Sequence, residues 1–268
     1  MPAPATHALH TALPWSRCSL GLFLAAGLHP AAVERHHLTR LSQAGAALFE
    51  VGLPHHDAFL DGPVIQTAYH RALQRGNALE RTVRTVEHAA GLRPTVVMTY
   101  WEPVRHHGPA RLARQFADAG AAGMMVVDLP DHSAAHWHDT AAGAGLHTPR
   151  LIPRHTPAGV LPSAVAGAPG WLYAPASSAP TGYRGPLDTE ALADFTRRLR
   201  AASPLPVVSG IGISAPALAA KIAPLVDAVV IGTPLVRALS TDPDQAPALA
   251  AAFAAALRHP PSPTDLHD

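Results

Sequence analysis

Glu50 stands in an otherwise apolar run, AALFEVGL, and a loop carrying Asp57 and Asp61 follows it. A carboxylate in such a run lies against one covered face of its element. Ionisation there is opposed unless a partner or a shifted pKa compensates. Glu50 is therefore either a functional group or half of a structural ion pair, and the burial argument favours function. Loop carboxylates commonly cap or are simply solvated, and Asp61-Gly62-Pro63 also reads as a turn leading into a helix. A glutamate on a strand and an aspartate on the next loop would supply an acid and a base in different surroundings.

A second chemistry sits late in the chain. Gly210-Ile211-Gly212-Ile213-Ser214 opens one helix and Ile231-Gly232-Thr233-Pro234 opens another. Glycine lets a backbone approach an anion closely, and the free N–H groups of a helix start point at it. Thr181-Gly182, in a Pro-rich loop, adds a further N–H or a hydroxyl. The pattern suits a phosphate ester.

The elements that would position these groups alternate along the chain. Strands are expected at Ser19–Ala26, Ala47–Leu53, Thr95–Tyr100, Gly123–Leu129, Pro149–Pro153, Trp171–Ala174, Leu205–Ser209 and Ala228–Ile231. They are mostly unbroken apolar runs, as parallel strands covered on both faces are. Helices are expected at Ala31–Ala44, Val64–Arg75, Arg81–Ala90, Pro109–Ala119, Ser133–Ala144, Leu187–Ala201, Pro216–Leu225 and Gln245–Leu257, with a short one at Ala158–Val165. Asp188 is placed to cap one helix and Pro216 to begin another, while Gly45, Gly76, Gly91 and Gly120 close helices. Eight β/α units in a 268-residue chain fit a single α/β (β/α)₈ TIM barrel over residues 19–258, with an N-terminal extension (1–18) and a Pro-rich flexible tail (259–268). A doubly wound sheet is the competing architecture. In a barrel, the chemistry gathers at the C-terminal strand ends, where the loop that follows the strand of Glu50 and the glycine turns fall.

Composition narrows the rest. A formal charge of +1 gives no cause to expect nucleic acid or an anionic membrane surface as partner. The lone Cys18 excludes an internal disulfide and a Cys-based zinc site, and a reducing, cytoplasmic setting follows as the expectation. The first residues lack the pattern of a signal peptide, and no apolar run approaches membrane-spanning length. Lys221, the only lysine, lies on an expected helix. That argues against Schiff-base chemistry, which needs a lysine at a strand end. The chain has 18 histidines, with pairs at His36-His37, His55-His56 and His106-His107. No HExxH accompanies them, and neighbours on a helix face apart, so no metal centre is expected. His55 would influence the pH optimum if it bordered the site. Trp101, Trp137 and Trp171 read as core or interface residues.

The order Phe49-Glu50-Val51-Gly52-Leu53-Pro54, Asp57, Asp61-Gly62-Pro63-Val64-Ile65-Gln66, then Met98-Thr99-Tyr100, Val127-Asp128-Leu129-Pro130, Pro180-Thr181-Gly182 and the two glycine turns resembles the tryptophan synthase alpha chain family over roughly residues 19 to 240. The resemblance implies retro-aldol cleavage of indole-3-glycerol phosphate to indole and glyceraldehyde 3-phosphate. It implies Glu50 as the acid/base at indole C3 and Asp61 as partner of the indole N–H. Phe23, Tyr100, Tyr173 and Thr181 would lie on the indole side, and Gly182, Gly212, Gly232 and Thr233 would hold the phosphate. No cofactor is implied in this chain; pyridoxal phosphate belongs to a beta chain, the partner in an αββα assembly.

The departures lie in loops. His55-His56 replaces an aromatic and Ser or Thr, Ala26-Gly27-Leu28 lacks an Asp, Glu102 replaces Asn, and Ala176-Ser177-Ser178-Ala179 lacks an Arg and a Gly. Two other functions therefore stand beside the first: a stand-alone indole-3-glycerol phosphate lyase of another indole pathway, and a non-catalytic barrel binding a phosphorylated ligand.

Overall fold

The apolar runs become eight strands, β1 (Ser19–Ala25), β2 (Leu48–Gly52), β3 (Thr95–Thr99), β4 (Gly123–Val126), β5 (Arg150–Leu151), β6 (Leu172–Tyr173), β7 (Val207–Ser209) and β8 (Ala228–Ile231). The structure is a computed structural model that describes residues 18–166 and 170–258. Apart from Cys18, the expected extension and tail lie outside the described residues. The strands pair in parallel in the order β4-β3-β2-β1-β8-β7-β6-β5. A parallel bridge between Gly123 and His147 joins the two ends, so a (β/α)₈ barrel is formed rather than a doubly wound sheet.

Every expected strand is present, several of them shortened. Pro149 and Pro153 flank β5, Pro175 follows β6 and Pro206 precedes β7. Proline has no N–H to give a ladder, so regular pairing stops beside it. The expected helices form as well, with ends moved by a few residues. The helix expected from Arg81 begins at Ala78, because Gly76 (φ 72) and Asn77 (φ 50) turn the chain just before it. The helix Thr189–Ala202 starts where Asp188 Oδ1 accepts a bond from Ala191 N–H at 2.9 Å.

One helix, Trp101–His107, was not anticipated. Its first turn is capped from a distant loop, Trp101 N–H donating to Asp128 Oδ1 at 2.6 Å. Trp137 and Trp171 are fully buried, and Trp101 packs edge-on against Trp137 at 6.4 Å. Among the described residues no helix is long and apolar enough to cross a membrane.

The seam between β4 and β5 rests on a close approach. Met124 N–H donates to His147 O at 2.8 Å and His147 N–H to Ala122 O at 3.1 Å. A Cβ on Gly123 would stand 2.7 Å from the His147 carbonyl. Gly123→Ala should therefore push the seam apart and lower stability by about 1–3 kcal/mol, read by urea unfolding at an unchanged m-value. An unaltered midpoint would show that the seam yields freely.

Candidate active site

Glu50 sits in mid-β2, 2% exposed, between Phe23 on β1 and Val96 on β3. Burial alone pushes its carboxyl up to about 8, and among the described residues Oε1 has no hydrogen-bond partner. Among the described residues no ion pair involves Glu50 either, so the ion-pair alternative finds no support there.

Asp61 is 4% exposed but differently furnished. Tyr100, at the end of β3, donates its hydroxyl to Oδ2 at 2.9 Å, and Thr181, in the loop after β6, donates to Oδ1 at 3.2 Å. Burial raises this carboxyl to about 6, the two hydrogen bonds opposing the rise. Gln66 Nε2 donates to the Asp61 carbonyl at 2.8 Å, fixing the loop from the helix Pro63–Gln74.

Loops from opposite sides of the barrel meet at this point. Gly62 N–H donates to Thr181 Oγ1 at 2.7 Å. A Cβ on Gly62 would collide with the Thr181 carbonyl, so glycine is what allows the loop after β6 to cross here.

The glycine turns stand at the ends of β6, β7 and β8. Gly182 (φ 91) and Gly212 (φ 93) take left-handed conformations. Gly232 immediately precedes the helix Thr233–Thr241. Ile211 shares the left-handed region at φ 60, a strained state for a β-branched residue.

All ten residues singled out from the sequence (Phe23, Glu50, Asp61, Tyr100, Tyr173, Thr181, Gly182, Gly212, Gly232 and Thr233) line one cavity of about 340 Å³. Its remaining wall is largely apolar, with Met98, Met125 and Leu151 among the lining residues. Asp57 is exposed and outside the cavity. His55 lies one side chain back, its ring 5.6 Å from that of Tyr100 and its Nδ1 3.8 Å from Glu102 Oε2. Among the described residues no group of three His, Cys, Asp or Glu is placed to hold a metal ion.

Sequence reasoning missed the cavity's cations. Arg154 donates to Ala176 O at 2.7 Å, and Arg184 and Arg237 also reach the lining. Only Arg237 had a usable signal: it follows Thr233 by one turn of a helix whose side chains lean toward its N-terminus.

Comparison with known proteins agrees with this geometry. A family model described as tryptophan synthase alpha chain matches residues 14–259. The tryptophan synthase alpha chain of Streptomyces avermitilis is 38% identical over 214 residues, covering 79% of this chain and 77% of that one. The Xylella fastidiosa alpha chain is 39% identical over 251 residues, 91% of this chain and 92% of that one. Among solved structures, Mycobacterium tuberculosis tryptophan synthase superposes with a TM-score of 0.86 at 30% identity, covering 96% of this chain and 99% of that one. The tryptophan synthase subunit alpha of Legionella pneumophila gives 0.80 at 28% identity, covering 90% and 93%. By sequence and by structure, the chain belongs to the tryptophan synthase alpha chain family and is a lyase of tryptophan biosynthesis.

Proposed function

We propose that the chain cleaves indole-3-glycerol phosphate into indole and glyceraldehyde 3-phosphate, with Glu50 as the acid/base and Asp61 as the partner of the indole N–H. The observation that carries this reading is the convergence of two buried, unlike carboxyls and three glycine turns on one largely apolar cavity.

Desolvation keeps Glu50 protonated near neutral pH. It delivers that proton to indole C3, and the ring nitrogen takes up positive charge. The ionised Asp61, held by Tyr100 and Thr181, accepts the N–H and offsets the charge. The Glu50 carboxylate then removes the proton of the C3′ hydroxyl. The C3–C3′ bond breaks, its electron pair returns to the ring, and C3′ becomes an aldehyde. Glu50 ends as it began, so two carboxyls suffice without a cofactor.

Phe23, Tyr100 and Tyr173 flank the ring. The N–H groups of Gly182, Gly212, Gly232 and Thr233, the last two opening the helix Thr233–Thr241, grip the phosphate. Glu50→Gln should lower kcat about 10²–10⁴-fold, the usual worth of a general acid–base group, and Asp61→Asn about 10²–10³-fold, with both variants folded by circular dichroism. Full activity in Glu50→Gln would leave a barrel that merely binds a phosphorylated ligand.

The pH dependence follows from the two carboxyls. Asp61 acts ionised, so activity fades as pH falls through about 6. Glu50 starts protonated, so activity fades as pH rises through about 8. A kcat/KM profile should therefore be a bell centred near neutrality. A profile flat across pH 5–9 would contradict these roles.

A beta chain carrying pyridoxal phosphate is the family's partner, and αββα the assembly proposed for this chain. The stand-alone reading keeps one point in its favour: the latch of Thr181 on Gly62 and Asp61 is made by this chain's own residues. Indole release with and without a tryptophan synthase beta chain separates the two. The subunit reading expects stimulation of at least about fivefold, the lower end of common coupling. High activity alone, unmoved by a beta chain, supports the stand-alone lyase.

A further inference from the structure

We propose that Tyr69 is a positioning residue for this reaction, its hydroxyl serving the Glu50 carboxyl from behind the cavity wall. The inference rests on the catalytic reading of Glu50 given above.

Tyr69, on the helix Pro63–Gln74, is 0% exposed. Its phenol reaches over β2 and meets the Phe23 ring beside Gly52. A Cβ on Gly52 would collide with the Tyr69 hydroxyl and stand 2.8 Å from Phe23 Cζ. Gly52 lies two residues beyond Glu50, so both face the same side of β2, roughly 7 Å apart along the strand. Phe23 is also the β1 partner of Glu50 and lines the cavity with it. The hydroxyl and the carboxyl therefore share one face of one strand, separated by no more than the reach of a glutamate side chain and one small group.

Neither is satisfied. Among the described residues, Tyr69 Oη and Glu50 Oε1 are both buried without a hydrogen-bond partner. A buried hydroxyl left unpaired carries a desolvation cost that phenylalanine, filling the same space, would avoid. The neighbouring titratable groups do not absorb it. Asp61 is already served by Tyr100 and Thr181. The Tyr100 hydroxyl is committed to Asp61 and Leu60 N–H. Tyr173, buried on β6, feels the charges of Glu50 and Asp61 from across the barrel. Burial and the same negative neighbours, Asp61, Tyr100 and Glu50, hold the Tyr69 phenol protonated, and so a donor. Glu50 becomes an acceptor in want of a donor at the moment it gives up its proton. A small turn of either side chain, or one bridging water, then completes the bond.

Tyr69→Phe in the full-length chain tests this. The expected result is a kcat lowered about tenfold, the worth of one hydrogen bond, with KM changed less than about twofold. Loss of a donor to the ionised form should also move the alkaline limb of the pH profile to higher pH, and Tm should hold or rise as an unpaired hydroxyl is removed. Wild-type kcat with a superimposable profile would overturn the inference. So would a reduced kcat with an unmoved limb and a lowered Tm, which would mark a packing role only. Glu50→Gln assayed alongside separates the two failures. An active Glu50→Gln removes the catalytic reading itself. An inactive one beside a wild-type-like Tyr69→Phe removes only the role of Tyr69.

Discussion

A carboxyl sealed inside an apolar barrel is the constraint on which the rest depends. Glu50 is placed by strand pairing on both sides, in register with Phe23 and Val96, so it cannot leave the interior without breaking β2. Water is the partner it has lost, and desolvation answers by holding its proton to about pH 8. Asp61 differs in the number of hydrogen bonds it receives more than in its burial, and it ionises near pH 6. Two carboxyls thereby hold opposite protonation states at neutral pH, an arrangement that acid–base chemistry needs.

The second carboxyl is a joint product of distant segments. Tyr100 comes from the end of β3 and Thr181 from the loop after β6, while Gln66 holds the loop's backbone. Thr181 serves twice, accepting from Gly62 N–H and donating to Asp61, so loop closure and charge placement are one event. Ile211, in the left-handed region within the glycine turn after β7, shows that this end of the cavity stores strain that the surrounding barrel sustains.

Much of this was legible in the sequence. The eight apolar runs were visible because parallel strands covered on both faces need no polar alternation. Of the residues that line the cavity, Glu50 was legible because it is out of place in its run and the late glycines because they open helices after apolar runs, whereas Phe23, Tyr100 and Tyr173 came only from the family resemblance. The remainder was hidden for physical reasons. The helix Trp101–His107 is capped by Asp128 from another loop, a signal absent from its own segment. Strand ends depend on where proline interrupts a ladder, which is known only once the partner strand is known. Tyr69 lies behind the cavity wall on a helix, and helix periodicity marks a buried face without saying what its longest side chains touch.

The barrel's hydrogen-bonded wall fixes how far apart its two working ends stand. Glu50 belongs to β2, and the glycine turns follow β6, β7 and β8 across a closed ring of parallel strands. For a ligand held at both ends, that wall acts as a ruler. Under the proposed reading, with the ring beside Glu50 and the phosphoester at the glycine turns, a homologue with one carbon more or fewer between them would seat either end but not both, so that chain length would be measured by the scaffold rather than by any single side chain.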